Sequence, residues 1–302
     1  MQRPPLTKRF KRALRYGLVR VALGLVGSLP VGLAGRWGWA FGWLAFRVAR
    51  TDRARALDGL RRAFPDLPEA ERARLAEEAF RHLGRSAFEL ACVRKLDPEL
   101  ERWVEWPEAD RRVLEAALAK GRGVLFVSGH VGNWELLARR VAMAGYPCQT
   151  IAKETTDPRL TRLVERFRAA GKLKSIWRGQ DGAAKAMLKA LKGGEILGML
   201  IDQDTKVQSV HVPFFGHPAS TPRAAADLAL RTGAAVVMGF CQRQADGRYR
   251  VAMKEVEPES TGDREADAVA LTARMTWEIE QAIRRAPAQW VWMHRRWKTQ
   301  PS

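Results

Sequence analysis

Cysteine, tyrosine and histidine are scarce in this chain: three, three and five in 302 residues. Cys92, Cys148 and Cys241 lie far apart and form no C-x-x-C pair. That argues against a disulfide framework or a cysteine zinc site and fits a reducing cytoplasm, with each thiol read as a small buried apolar side chain. Acid is missing altogether from the first fifty positions, which hold ten basic residues: Arg3, Lys8, Arg9, Lys11, Arg12, Arg15, Arg20, Arg36, Arg47 and Arg50. There is no internal repeat and no low-complexity linker. No uninterrupted apolar run reaches the roughly 20 residues that a simple spanning helix needs.

What is present is cationic and apolar. The chain has 52 Lys and Arg against 33 Asp and Glu, a formal charge of +19, and 46% hydrophobic residues, enough for a sizeable core. Such an excess calls for an acidic partner, whether nucleic acid, an anionic membrane or an acidic carrier protein. Fifteen uncharged residues, 21–35, run between Arg20 and Arg36 with Pro30 among them. A second apolar run, 37–46, carries Trp37, Trp39 and Trp43. Together they suit a spanning or re-entrant segment; separately they suit an interfacial one, with Trp at headgroup depth and Arg on phosphates. A cleaved signal peptide fits poorly, because the basic region is long and no small-residue cleavage site follows. The expected organisation is a basic, Trp-rich membrane-associating segment over 1–50 and one catalytic domain over 51–302, helical over 51–118 and α/β over 119–302.

The helical portion shows Leu57, Leu60, Phe64, Leu75, Phe80, Leu83, Phe88 and Leu90 at three- and four-residue intervals, broken by Pro65 and Pro68. His82 within it reads as structural. Beyond residue 119, strands are expected over 123–127, 147–152, 173–177 and 196–201, alternating with helices over 160–170 and 182–191. A hairpin through Asp246-Gly247 joins strands over 235–242 and 249–256, and a long helix covers 263–285. The alternation predicts an α/β fold with a mainly parallel central sheet flanked by helices.

The stretch that carries chemistry is Ser128-Gly129-His130-Val131-Gly132-Asn133-Trp134-Glu135, where a short strand gives way to a helix. Ligands bind at that edge in open α/β sheets. Five residues apart on a continuous helix, His130 and Glu135 would stand about 140° apart around the axis. If Gly129 and Gly132 bend the backbone before a helix that starts near Asn133, the imidazole can fold back to the carboxylate and act as an oriented general base. Asp202-Gln203-Asp204 follows the strand at 196–201, so its carboxylates also belong to a strand's C-terminal edge. They read as an acid/base or metal pair, or as loop-capping residues. No His or Cys stands at ligand spacing from them, so no metal is expected. His211 and His217 flank Val212-Pro213-Phe214-Phe215-Gly216, read as an apolar loop. Thr221-Pro222 reads as a helix start, with Arg223 facing either solvent or a phosphate at that helix's positive end. The terminal Trp290, Trp292 and Trp297, interleaved with His294, Arg295, Arg296 and Lys298, suit stacking on bases, a grip on phosphates, or packing on a membrane.

Gly129-His130-Val131-Gly132-Asn133-Trp134-Glu135 resembles the H-x4-D/E block of the bacterial lipid A biosynthesis (late) acyltransferases. Asp202-Gln203-Asp204, Val212-Pro213-Phe214-Phe215-Gly216 and the segment Pro287 to Lys298 resemble later blocks of that family, in its order and over nearly the whole chain. The resemblance implies a glycerolipid-acyltransferase-like fold at the cytoplasmic face of a bacterial inner membrane. It also implies transfer of a fatty acyl group from acyl carrier protein, or acyl-CoA, to a hydroxyl of a lipid A precursor, with no other cofactor. His130 would be the base and Glu135 its orienting partner, amides of Gly132 and Asn133 would receive the oxyanion, and Asp202 would belong to the cleft without being the base. Lys153, Lys172, Arg178, Arg223, Arg295 and Arg296 are the basic residues expected nearest the substrates. Relatives often have Arg where Gly171-Lys172-Leu173-Lys174 stands, and a lysine makes no bidentate phosphate contact. A lysophospholipid or mannolipid acceptor is the alternative within the superfamily; a basic nucleic-acid or membrane-surface binder is the alternative outside it.

Overall fold

The computed structural model describes residues 6–301, so Arg3 and the start of the basic arm lie outside the described residues. Pro30 divides the N-terminal segment into two helices, α1 (Leu6–Ser28) and α2 (Val31–Val48), since proline supplies no amide to continue a helix. Next come α3 (Arg50–Ala63) and α4 (Glu69–Ala91), separated where Pro65 and Pro68 stand. α2 lies directly on α4. A Cβ on Gly38 would fall 2.5 Å from the Gly84 carbonyl oxygen, and one on Gly42 would fall 2.3 Å from that of Phe80, so only glycine lets these backbones approach so closely. No described helix is long and apolar enough to cross a membrane. Large apolar side chains nonetheless stand exposed along α1 and α2, among them Phe10, Leu14, Leu18, Val21, Leu25, Trp37, Phe41 and Val48.

Two one-turn helices, α5 (Val93–Leu96) and α6 (Leu100–Trp103), lead through β1 (Val104–Glu105) and α7 (Glu108–Ala119) into the α/β portion. There the chain runs β2 (Val124–Ser128), α8 (Trp134–Met143), β3 (Cys148–Lys153), α9 (Pro158–Ala170), β4 (Lys174–Arg178), α10 (Ala183–Lys192) and β5 (Ile196–Leu200). It continues through β6 (Ser209–Phe214), β7 (His217–Pro222), α11 (Ala224–Thr232), β8 (Ala235–Arg243), β9 (Tyr249–Val256) and α12 (Arg264–Arg285). The main sheet has the order β1-β9-β8-β2-β5-β3-β4 and is parallel except where β9 runs against β8. β2 is buried at all five positions, as an inner strand of a sheet covered on both faces should be.

Two local expectations are corrected. Residues 209–222 form an antiparallel hairpin rather than an apolar loop, turning at Phe215-Gly216, both with positive φ, as a two-residue hairpin turn requires. Thr221 and Pro222 end β7 instead of starting a helix. The Thr221 hydroxyl donates to the Ala219 carbonyl and accepts from Arg296, so it is not available to cap, and α11 begins at Ala224. The Trp-rich C-terminal block is core. Trp290, Trp292 and Trp297 are buried, packed edge-on or tilted against one another, Phe64, Phe214 and Phe215. Packing is continuous across residue 50, with Phe46, Leu60 and Phe80 in the same cluster as Leu125, Val127 and Trp292.

Candidate active site

The strand order sets the site. β2 lies beside β5 in parallel register, Ser128 opposite Leu200, and two residues past each of these stand His130 and Asp202. From β2 the chain crosses to β3 on one side, whereas from β5 it proceeds to β8 on the other; such a reversal opens a crevice at the C-terminal ends of the strands.

His130 Nδ1 is 2.8 Å from Asp202 Oδ1, and the His130 backbone N–H donates to Asp202 Oδ2 at 2.7 Å. Trp290 Nε1–H donates to the same Oδ2 at 2.8 Å. Burial of the Asp202 carboxyl, which is fully enclosed, would raise its pKa. The charge of His130 and the hydrogen bonds from His130 and Trp290 outweigh that and bring it down to about 2. An ionised carboxylate can only accept, so Nδ1 carries the proton that faces it. Nε2 has no hydrogen-bond partner among the described residues, and the ring lines an open cleft with Trp134, Ile151, Lys153, Arg178, Met187 and Ile201. Glycine fits at 129 without displacing its neighbours, whereas a Cβ there would lie 2.9 Å from the Ile279 methyl and 3.1 Å from Asp202 Oδ2 and push on both. At 132 glycine is required because φ is +66° and a Cβ would fall 2.0 Å from the Cys241 carbonyl oxygen.

Glu135 does not orient His130. It is the second residue of α8 and turns toward α9, where Arg168 grips both its oxygens, at 3.2 Å from Nε and 2.5 Å from Nη2. Asp202 occupies the place expected for Glu135, because the neighbouring strand presents it at the level of the imidazole while the helix carries Glu135 away. The amides of Gly132 and Asn133 are also not free to receive an oxyanion, since they donate to the carbonyls of Gln289 and Cys241, each at 2.8 Å. Asn133 is instead the cap of α8, accepting from Leu136 N–H at 3.1 Å and donating to the Tyr249 hydroxyl at 3.3 Å. Among the described residues the amides of Trp134 and Glu135, in the first turn of α8, have no hydrogen-bond partner, nor do those of Gly129 and Val131.

Of the expected basic residues, Lys153 and Arg178 do line the cleft, opposite one another in the β3–β4 register. The others do not. Lys172 precedes β4 and so stands at the opposite edge of the sheet. Arg223 is buried and paired with Asp227 and Glu265. Arg295 is exposed but lies outside the cleft lining. Arg296 is fully buried, donates to the Ser220 carbonyl and the Thr221 hydroxyl, and fastens the β6–β7 hairpin, while burial pushes its pKa down to about 10. Asp204 is likewise structural, accepting from Thr299 N–H and hydroxyl. His82 donates to the Gly132 carbonyl at 3.3 Å from beneath the turn at 129–132, with burial pushing its pKa down to about 3, so it is neutral there.

Trp290 was not legible as a site residue; a Trp among Trp and Arg signals a surface as readily as a buried donor. Beside the cleft lies an apolar cavity bounded by Leu137, Val141, Cys148, Thr150, Ile196 and Gly198. β3 and β5 pair only from Cys148 with Ile196 to Thr150 with Gly198, and beyond this the strands part. Trp134, Glu135, Ile151, Arg168, Met199 and Leu200 line both spaces, so cleft and cavity adjoin at this gap.

A family model described as bacterial lipid A biosynthesis acyltransferase matches residues 6–299. A lipid A biosynthesis lauroyltransferase of Escherichia coli (strain K12) is 31% identical over 95% of this chain and 93% of its own length. A lipid A biosynthesis palmitoleoyltransferase of the same strain is 29% identical, with the same coverage. A phosphatidylinositol mannoside acyltransferase of Mycobacterium tuberculosis is 24% identical over 86% of this chain and 88% of its own.

Proposed function

The chain belongs to the bacterial lipid A biosynthesis acyltransferase family, and on that premise we propose that it moves a fatty acyl group from an acyl carrier protein or acyl-CoA thioester to a hydroxyl of a lipid A precursor. The observation that carries this reading is the His130–Asp202 pair lining a cleft that adjoins an apolar cavity. Nε2 of His130 takes the proton of the acceptor hydroxyl as its oxygen attacks the thioester carbonyl. Asp202 holds the ring and stabilises the imidazolium. The tetrahedral oxyanion is received at the first turn of α8, by amides such as those of Trp134 and Glu135. Collapse expels the thiolate, which takes the proton back from Nε2, so the donor leaves as a thiol and the acceptor as an ester. No acyl-enzyme forms.

The apolar cavity beside the β3–β5 gap, bounded by Val141, Cys148 and Ile196, has a volume of about 60 Å³ and suits a few carbons of the donor's hydrocarbon tail, a longer tail requiring α8 to shift from the sheet. Exposed apolar residues on α1 and α2 beside basic flanks suit attachment to the anionic cytoplasmic face of the inner membrane. Lys185, Lys189 and Lys192 lie on α10, which contains no acid, and favour an acidic carrier as donor. A nucleic-acid reading loses its stacking surface, because the terminal tryptophans are buried.

The test is mass spectrometry of lipid A from a Gram-negative host lacking its own late acyltransferases and expressing this protein, His130→Ala or Asp202→Asn. A gain of one acyl group with the native chain alone supports the reading, and the mass gives the chain length. No gain, with the protein present in the membrane, rejects lipid A as acceptor and directs the assay to mannolipids.

A further inference from the structure

We propose that the cleft between α1 and the start of α9 binds the phosphate of the acceptor's headgroup, held by Arg12, Arg159 and Arg162; this rests on the acyltransferase reading above. The face of α1 formed by Phe10, Leu14, Leu18, Val21 and Leu25 is exposed and apolar. At about 100° per residue, Arg12 stands some 200° from Leu14, on the opposite side. There α1 meets the protein. Arg159 lies over the Tyr16 ring at 5.0 Å from its centroid, and Arg15 Nη2 reaches the Thr156 hydroxyl at 3.5 Å. Arg12, Arg159 and Arg162 line the cleft with a single carboxylate, Asp157, and with Phe10 from the apolar face.

That carboxylate is already satisfied. Asp157 is buried, caps α9 by accepting from the Arg159 N–H at 3.0 Å, and is paired with the Arg159 guanidinium at 2.8 Å. Arg12 and Arg162 have no acidic partner among the described residues. Three guanidinium groups against one neutralised acid leave a cationic recess, and guanidinium matches the tetrahedral oxygens of a phosphate better than any other side chain. The apolar outer face of α1 puts this recess at the depth of lipid headgroups. One short connection links it to the chemistry, with Lys153 at its start in the catalytic cleft and Asp157, four residues on, in the recess. A lipid whose phosphate sits here can place a hydroxyl toward His130, which favours the acceptor over a bulk phospholipid as the source.

The experiment uses the full chain and the double variant Arg12→Glu/Arg162→Glu, with Arg159 kept for its part in capping α9. Acyl transfer is measured to the phosphorylated acceptor and to the same acceptor after phosphatase treatment. Losing charge-assisted hydrogen bonds predicts a KM for the phosphorylated acceptor raised about tenfold or more, with kcat within about twofold and the dephosphorylated acceptor unaffected. A second arm compares sedimentation with phosphatidylcholine vesicles containing or lacking the phosphorylated acceptor, and with phosphatidylglycerol vesicles. The variant should lose the increment due to the acceptor and keep its binding to phosphatidylglycerol. An unchanged KM, an equal change for both acceptors, or lost phosphatidylglycerol binding overturns the proposal, the last making these arginines a general membrane contact. If the native chain acylates neither acceptor, the acyltransferase reading for this lipid fails, and the vesicle arm still decides the recess.

Discussion

Replacing Asp202 by Asn tests the site most directly, because the two side chains have nearly the same shape and differ in what they can accept. Two donors, the His130 backbone N–H and Trp290 Nε1–H, converge on one oxygen of Asp202, at 2.7 and 2.8 Å. Asn has one carbonyl oxygen, and placing its NH2 against two N–H groups would leave all three donors unsatisfied. The oxygen must therefore stay there, so the NH2 faces His130 Nδ1. Nδ1 then accepts, the ring proton moves to Nε2, and the base is lost with the fold intact. A wrong tautomer in a comparable His–Asp pair costs about 10⁴ in kcat, equivalent to about 5 kcal/mol of barrier. The assay is kcat for acyl transfer across pH for the native chain, Asp202→Asn and Glu135→Gln. Asp202→Asn within tenfold of the native rate, beside an inactive Glu135→Gln, would refute the reasoning and return the orienting role to Glu135. The same carboxylate makes stability depend on pH. Its folded-state pKa lies below the ordinary value, at about 2, so its contribution of about 2 kcal/mol is present above about pH 4 and is lost as pH falls toward 2. Acid denaturation of Asp202→Asn should lack that component.

Glu135→Gln leaves Arg168 largely buried without its anion, so it should lower stability by about 3 kcal/mol while reducing kcat far less than Asp202→Asn; chemical denaturation and turnover read the two effects separately. Gly198→Val fills the cavity beside the last β3–β5 pair, where even a Cβ would lie 3.1 Å from the Thr150 methyl. Product mass spectra should shift to shorter chains. Trp290→Phe removes one donor to a buried carboxylate and should cost about 1–3 kcal/mol of stability along with a fall in kcat, seen in the denaturation midpoint and the rate. Gly42→Leu drives a side chain into the backbone of α4 and should lower the melting temperature of the detergent-solubilised protein, with a loss of about 3 kcal/mol or more.

The alternation of apolar runs, glycine turns and helical periodicity sufficed for a mainly parallel α/β sheet, and the strand–glycine–helix pattern singled out His130. Both are local signals. The identity of the carboxylate beside His130 was not legible, because Glu135 is five residues away and Asp202 is 72. Proximity along the chain favours the first, whereas strand order favours the second. Basic residues were misplaced for a related reason. Arg223 and Arg296 look like phosphate ligands by composition, yet each is consumed by a partner brought from another element. The tryptophans near the C-terminus show the same limit, since an alternating aromatic and basic run carries no mark of which side will be covered.

By itself the sequence determined what depends on neighbours in the chain: the elements, the glycines that let the turn at 129–132 form, the histidine at a strand's end, and the cationic, acid-free beginning. Tertiary structure alone decided which strands lie side by side, and with that the pairing of His130 with Asp202, the Trp290 bond that holds the carboxylate, and the gap that opens behind the cleft. A hydrogen bond senses only distance and direction in space, and sheet order brings together groups that the chain keeps far apart.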